Sequence, residues 1–124
     1  MSYNWGPHFI VPTDILKEYS GIVKLREQLD DDLLNKELEE LGISGRIVKV
    51  TNPWYYRKMA TRTWIKIGES ENRHDNFPVT WDTRGLKDGQ YEVLGLMHVF
   101  VRKNGSEHAI ARQSVVEVTV KNQV

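Results

Sequence analysis

The sequence contains no cysteine. Disulfide bridges and thiolate metal centres are therefore excluded, and the chain must hold its shape by packing and hydrogen bonding alone. It also lacks any apolar run approaching the ~20 residues that a membrane-spanning helix requires, so no membrane insertion is expected. Neither sign of charge is in excess, with 17 Lys plus Arg against 17 Asp plus Glu. The chain as a whole therefore exerts no strong pull on nucleic acid or on an anionic membrane. The opening residues, Met1 to His8, show no basic segment and no apolar segment of the kind that directs export. Together with the missing disulfides, this sets the cytoplasm as the expected location, with a virion or a processed secreted chain as alternatives.

What remains is enough for one modest core: 124 residues, 40% of them hydrophobic. Three textures follow one another. Residues 1–12 are aromatic and irregular. Tyr3, Trp5 and Phe9 are separated by Gly6 and Pro7, which rule out a helix, and Phe9-Ile10-Val11 has the makings of a short strand or docking arm. A helical pattern follows, with Thr13 or Asp14 as a cap and a break at Ser20-Gly21. From Ile22, apolar residues recur at Leu25, Leu29, Leu33 or Leu34, Leu38 and Leu41, which predicts an amphipathic helix over 22–41 closed by Gly42. Its other face is strongly acidic, and a single helix cannot bury its own stripe.

From Ile43 the period changes to two. Strands are predicted at Arg46–Thr51, Thr61–Ile67 (Ile65 and Ile67 inward), Phe77–Trp81, Tyr91–Val101 and Ser114–Lys121. In the last, Val116, Val118 and Val120 share the inward side. Asn104-Gly105 supplies the positive φ angles of a tight hairpin, with a loop of two or three residues. Several short antiparallel strands with turn signals between them point to a sandwich or barrel.

The stretch Phe77-Pro-Val-Thr-Trp81-Asp-Thr-Arg-Gly85-Leu-Lys-Asp-Gly89-Gln-Tyr91-Glu-Val93 resembles bacterial immunoglobulin-like and cadherin-like modules, in which a strand ending Trp-Asp-Thr is followed by a Gly-Leu-x-Asp-Gly-x-Tyr turn and a long strand. The resemblance covers the C-terminal part of the chain. It implies Trp81 in the core, Asp82 and Thr83 bonding turn amides, and Leu86 plugging an open end. It also implies a reversal at Asp88-Gly89 and a tyrosine corner at Tyr91. Such modules bind, space or brace, and the resemblance brings no catalytic residue with it. The expected architecture is thus mainly β: an immunoglobulin-like sandwich over 43–124, preceded by an aromatic arm and amphipathic helix over 1–42.

No constellation points to an enzyme, a cofactor or a metal. His8, His74, His98 and His108 show no metal-ligand spacing, and Gly42-Ile43-Ser44-Gly45 is not a nucleophile elbow. The loop Glu69–Asp75 lacks the dense acidic ladder of a calcium site. More informative is the stretch from Leu41 to Gly68, which holds Arg46, Lys49, Arg57, Lys58, Arg62 and Lys66 among Trp54, Tyr55, Tyr56 and Trp64, without one acidic residue. Basic and aromatic residues together suit single-stranded nucleic acid; the neutral chain and the acidic helix argue instead for protein complementarity. Trp64 is expected to face outward beside Arg62 and Lys66, to be covered by protein or used as an anchor. The function expected is a non-catalytic interaction or structural module in a larger assembly, self-association included. Candidate contact residues are Trp5, Phe9, Leu25, Leu29, Trp54, Tyr55, Tyr56, Arg62, Trp64 and Lys66. A carbohydrate-binding module using the aromatic face is the second reading, and nucleic-acid binding through 46–66 the third.

Overall fold

Asn104 and Gly105 adopt φ of 52° and 80°. That pair of left-handed residues makes a two-residue turn whose twist matches the flanking strands. It joins the two longest strands of the molecule in the register Lys103↔Ser106, Val101↔His108, Tyr91↔Val118. The computed structural model describes the backbone of residues 8–10 and the whole of residues 18–122. Its elements in chain order are β1 (His8–Ile10), β2 (Glu18–Tyr19), β3 (Ile22–Gln28), α1 (Asp31–Glu40), β4 (Arg46–Lys58), β5 (Ile65–Ser70), β6 (Val79–Asp82), β7 (Gly89–Lys103) and β8 (Ser106–Val120), with a short 3-10 turn at Arg73–Asp75.

These strands form two curled sheets, one of five strands in the order β2-β8-β7-β4-β5 and one of three in the order β1-β3-β6. Along β7 the odd-numbered residues from Tyr91 to Val101 are buried and the even-numbered ones lie on the other side. The small sheet and the helix both pack against the odd, inner side. Near one end, β3 and β6 contribute Val23, Leu25, Val79 and Trp81 to a cluster with Trp54, Tyr91, Val93, Val118 and Val120. Near the other, α1 contributes Leu34 and Leu38 to a cluster with Val50, Met97, Val99 and Val101. The protein is therefore mainly β, with one large sheet whose inner face is covered half by a small sheet and half by a helix.

The helix is well terminated. The Asp30 carboxylate accepts from the Leu33 amide at 3.1 Å. At the other end Gly42 takes φ +70°, its amide donates to Glu39 and the Ile43 amide donates to Leu38, the paired bonds of a Schellman motif.

Several sequence expectations need correction. The helix does not run from 22 to 41 and is not an N-terminal arm: residues 22–28 are strand β3, paired with β6 through Val23↔Trp81 and Leu25↔Val79. The physical reason is visible in β3 itself. Val23, Leu25 and Glu27 are buried while Lys24, Arg26 and Gln28 are exposed, which is period two. The three-four spacing of Ile22, Leu25 and Leu29 competes with it, and pairing to β6 decides the outcome. Hydrogen bonds between β3 and β6 also cross the expected boundary at residue 42.

The strand expected at 61–67 begins only at Ile65. Ala60 turns at φ 69°, and both the amide and the hydroxyl of Thr61 bond back to the Lys58 carbonyl, so 61–64 is loop. A bulge opposite Trp54/Tyr55 then splits the two isoleucines: Ile67 packs on the core while Ile65 is 49% exposed. Val11, Thr13, Asp14 and the aromatic residues Tyr3 and Trp5 lie outside the described residues.

Candidate interaction face

The segment between β6 and β7 shows how local chemistry fixes the end of the small sheet. Trp81 is 2% exposed in the core. Asp82 accepts from the Arg84 backbone amide at 3.0 Å, and its two oxygens take the Arg84 guanidinium side-on at 2.9 and 2.8 Å. Those bonds hold the Asp82 carboxyl down at about 2. The Thr83 hydroxyl donates to Gly21 at 2.6 Å, Leu86 packs on the core, and the Tyr91 hydroxyl donates back to the Lys87 carbonyl at 2.7 Å. Burial raises the Tyr91 phenol above its usual range.

Where the two inner clusters meet lies a polar seat. Glu27 on β3 is fully buried and aims its carboxyl at Gly95 on β7, where a β-carbon would collide with it. Asn52 on β4 is fully buried as well. Neither carboxyl oxygen of Glu27 and neither amide atom of Asn52 makes a full hydrogen bond among the described residues. Burial pushes the Glu27 carboxyl up to about 8, against a smaller opposing pull from the Asn52 amide. Farther along the inner face, Glu37 of α1 pairs with Arg112 of β8. The sequence carries a signal for Glu27, inward parity with Val23 and Leu25, once 22–28 is read as a strand; nothing comparable marks Asn52 or Gly95.

The outer face of the large sheet is different. Cross-strand rows there run Arg57, Glu92, Glu117; then Tyr55, Leu94, Val115; then, toward the other end, Thr51, His98, Ala111; Lys49, Phe100, Ala109; and Arg46, Arg102, Glu107. The middle of the face is mostly apolar, interrupted by Thr51, His98 and the Gln113 that lies across from Leu96, and its two ends are charged. His98 and Phe100 stack side by side on it, ring centroids 6.4 Å apart, and Val115 is 42% exposed. The face is not bare throughout: Thr51 and Leu94 in it are each 7% exposed, and Trp64 of the β4–β5 loop lies against Arg57 at one end.

The expected contact residues divide between the two faces. Trp54 is wholly buried, with its indole N–H donating to Phe77 at 3.2 Å, and Leu25 is 1% exposed; both are core residues and not contact residues. Tyr56 turns inward and packs against Trp81, centroids 5.4 Å apart. Leu29 is half-buried beneath α1. Tyr55 and Trp64 are half-buried, and the Arg57 guanidinium lies 4.2 Å over the Trp64 ring while bonding Glu92 at 2.8 Å. Arg62 and Lys66 are exposed, and Lys66 pairs with Glu69. Phe9 falls in β1, and Trp5 lies outside the described residues.

The acid-free stretch is not a continuous basic surface. Lys49, Arg57 and Lys66 meet Glu71, Glu92 and Glu69, brought to them by β5, the loop after it and β7. The acids of α1 go elsewhere, Asp31 to Arg73 and Glu37 to Arg112. His98 and His108 occupy opposite faces, since His98 pairs with Ala111 in an outer row and His108 with Val101 in an inner one. Among the described residues no group of three or more His, Asp or Glu is close enough to hold a metal, and no helix is long and apolar enough to cross a membrane. A depression of about 410 Å³ at the start of α1 is lined by Gln28, Leu29, Asp30, Asp31 and Asp32 and is open to solvent. Comparison with known protein families and with curated proteins gives no match.

Proposed function

We propose that this chain is a non-catalytic interaction module of immunoglobulin-like type, acting as a small subunit or structural component of a larger protein assembly. The observation that carries this reading is the outer face of the large sheet. A sheet face meant for water alternates polar residues against a buried side. Here the outward positions of β7 and β8 instead carry Leu96, Phe100, Ala109, Ala111 and Val115, interrupted by His98 and Gln113 and with charged rows at either end, while Leu94 beside them is already buried. An apolar centre inside a charged rim is the anatomy of a protein interface.

The immunoglobulin-like part of the reading rests on two sheets sharing one core and on the contacts of Trp81, Thr83, Leu86 and Tyr91 around the β6–β7 connection. Docking of protein is favoured over a glycan platform because the four aromatic residues that suggested one are split: Trp54 and Tyr56 inside, Tyr55 and Trp64 outside.

The test compares polar substitutions on the two faces in dilute solution. Val115→Lys and Phe100→Lys are expected to cost under about 1 kcal/mol, whereas Val99→Lys costs several. If the outer substitutions destabilise as much as Val99→Lys, the face belongs to the chain's own packing and the reading falls.

A further inference from the structure

We infer that the outer face of the five-stranded sheet docks onto the same face of a second copy of this chain, across a two-fold axis running along β7. This rests on the interaction reading above and names its partner.

The register supplies the reason. The outward residues of β4 include Arg46, Lys49 and Arg57 and no acid. The outward residues of β8 include Glu107 and Glu117 and no base. The two strands flank β7 on opposite sides. A half-turn about an axis along β7 lays β4 of one copy over β8 of the other, twice, and β7 over itself, so that Glu92 and Arg102 each face their own counterpart while paired within their own chain to Arg57 and Glu107. The rows then fix which residues meet. Arg46 and Glu107 share the Arg102 row, so Arg46 comes over Glu107 of the other copy. Arg57 and Glu117 share the Glu92 row and meet in the same way, with Tyr55 against Val115 between them. Within one chain, Glu117 lies directly across from Glu92, an unfavourable like-charge pair. Arg57 bonds Glu92, while Glu117 makes no ion pair among the described residues. The second copy's Arg57 is the cation that position calls for.

Size and net charge agree. β7 and β8 are each 15 residues long. At ~3.4 Å per residue and ~4.8 Å between strands, the β4-β7-β8 face covers on the order of 700 Å², close to the ~800 Å² per partner of a stable interface. A chain of zero net charge adds no long-range repulsion between copies.

The experiment measures solution mass by light scattering over a dilution series of the full chain. Wild type is expected to reach twice the 14.4 kDa chain mass. Arg46→Glu alone and Glu107→Lys alone each weaken dimerisation at least about tenfold, because each brings like charges together at both contacts. An equimolar mixture of the two variants restores it. In the mixed dimer the glutamate introduced in one chain meets the lysine introduced in the other, while the second contact keeps its native Arg46 and Glu107. Both positions are exposed, so folding is not at stake; Val115→Lys is the apolar counterpart and gives monomer. A wild-type chain that stays monomeric up to about 1 mM overturns the self-docking. So does a dimer indifferent to all three substitutions, or a mixture no tighter than its components. The interaction reading falls separately, on the stability comparison of Val115→Lys with Val99→Lys.

Discussion

The carboxyl of Glu27 occupies the space that a side chain at Gly95 would need. The two residues come from different sheets, β3 and β7, and the missing β-carbon of one is the seat of the other. Gly95→Ala is therefore expected to cost about 3 kcal/mol or more, through overpacking of a closed core. Glu27→Ala should relieve part of that cost, so a double-mutant cycle by urea denaturation should show a coupling above about 1 kcal/mol. Additive effects would mean the two residues do not share the space.

Glu27 also sets a pH dependence. Its folded-state carboxyl titrates near 8 against an ordinary 4.5. Between those values the folded protein keeps a proton that the unfolded chain has lost, so stability falls as pH rises, by about 1.4 kcal/mol per unit at most. Below the window both states are protonated and above it both are ionised, and this contribution is flat. Glu27→Gln should remove the slope, which denaturation midpoints measured across the window from about pH 4.5 to about 8 would reveal. A slope unchanged in the variant would assign it to other groups.

The Tyr91 hydroxyl bonds a backbone carbonyl at the end of the connection that precedes its own strand. Tyr91→Phe keeps the ring against Tyr56 and Trp81 and deletes only that bond. The expected loss is about 1 kcal/mol. Added hydrogen exchange should be confined to the residues around Lys87.

The two tryptophans of the β4–β5 hairpin should behave oppositely. Trp54→Ala empties a fully buried site and should cost about 3–5 kcal/mol. Trp64→Ala loses partial burial and the Arg57 stacking, and should cost about 1 kcal/mol. Comparable losses in thermal unfolding would contradict their assignment to opposite faces.

The C-terminal strands were legible in the sequence because their alternation is strong and their turn is short. Val116, Val118 and Val120 face inward as their spacing says, and Asn104-Gly105 closes the hairpin in its two-residue form. Within the expected helix 22–41, residues 31–40 are helical and Gly42 closes them, while 22–28 was misread for a definite reason. Leucines spaced by three and four residues satisfy a helix, and the competing alternation of Val23, Leu25 and Glu27 includes a charged residue at a buried position. An inward glutamate does not look like core until its glycine partner, 68 positions away by the numbering of Glu27 and Gly95, is placed against it. The candidate face was half legible. The parity expected for Trp64 fails because 61–64 is loop and Ile65 is exposed, and the acid-free stretch reads as one surface although alternation along β4 sends Trp54 and Tyr56 to one side and Tyr55 to the other. The apolar outer row of β7 was hidden by a strand that is hydrophobic on both faces.

The tight hairpin also governs the order in which the molecule can come together. β7 and β8 are contiguous except for Asn104 and Gly105, so their pairing closes almost no loop, whereas β3 must find β6 across more than fifty intervening residues. The central ribbon is thus the cheapest part to form. Its inner surface holds two separate landing zones. The helix and the small sheet settle on different stretches of it, and Gly95 marks the line between them. In the unfolded chain Glu27 is in water and charged at neutral pH, so closing the small sheet over Gly95 is coupled to the uptake of a proton, and the surrounding pH sets how far that closure is favoured.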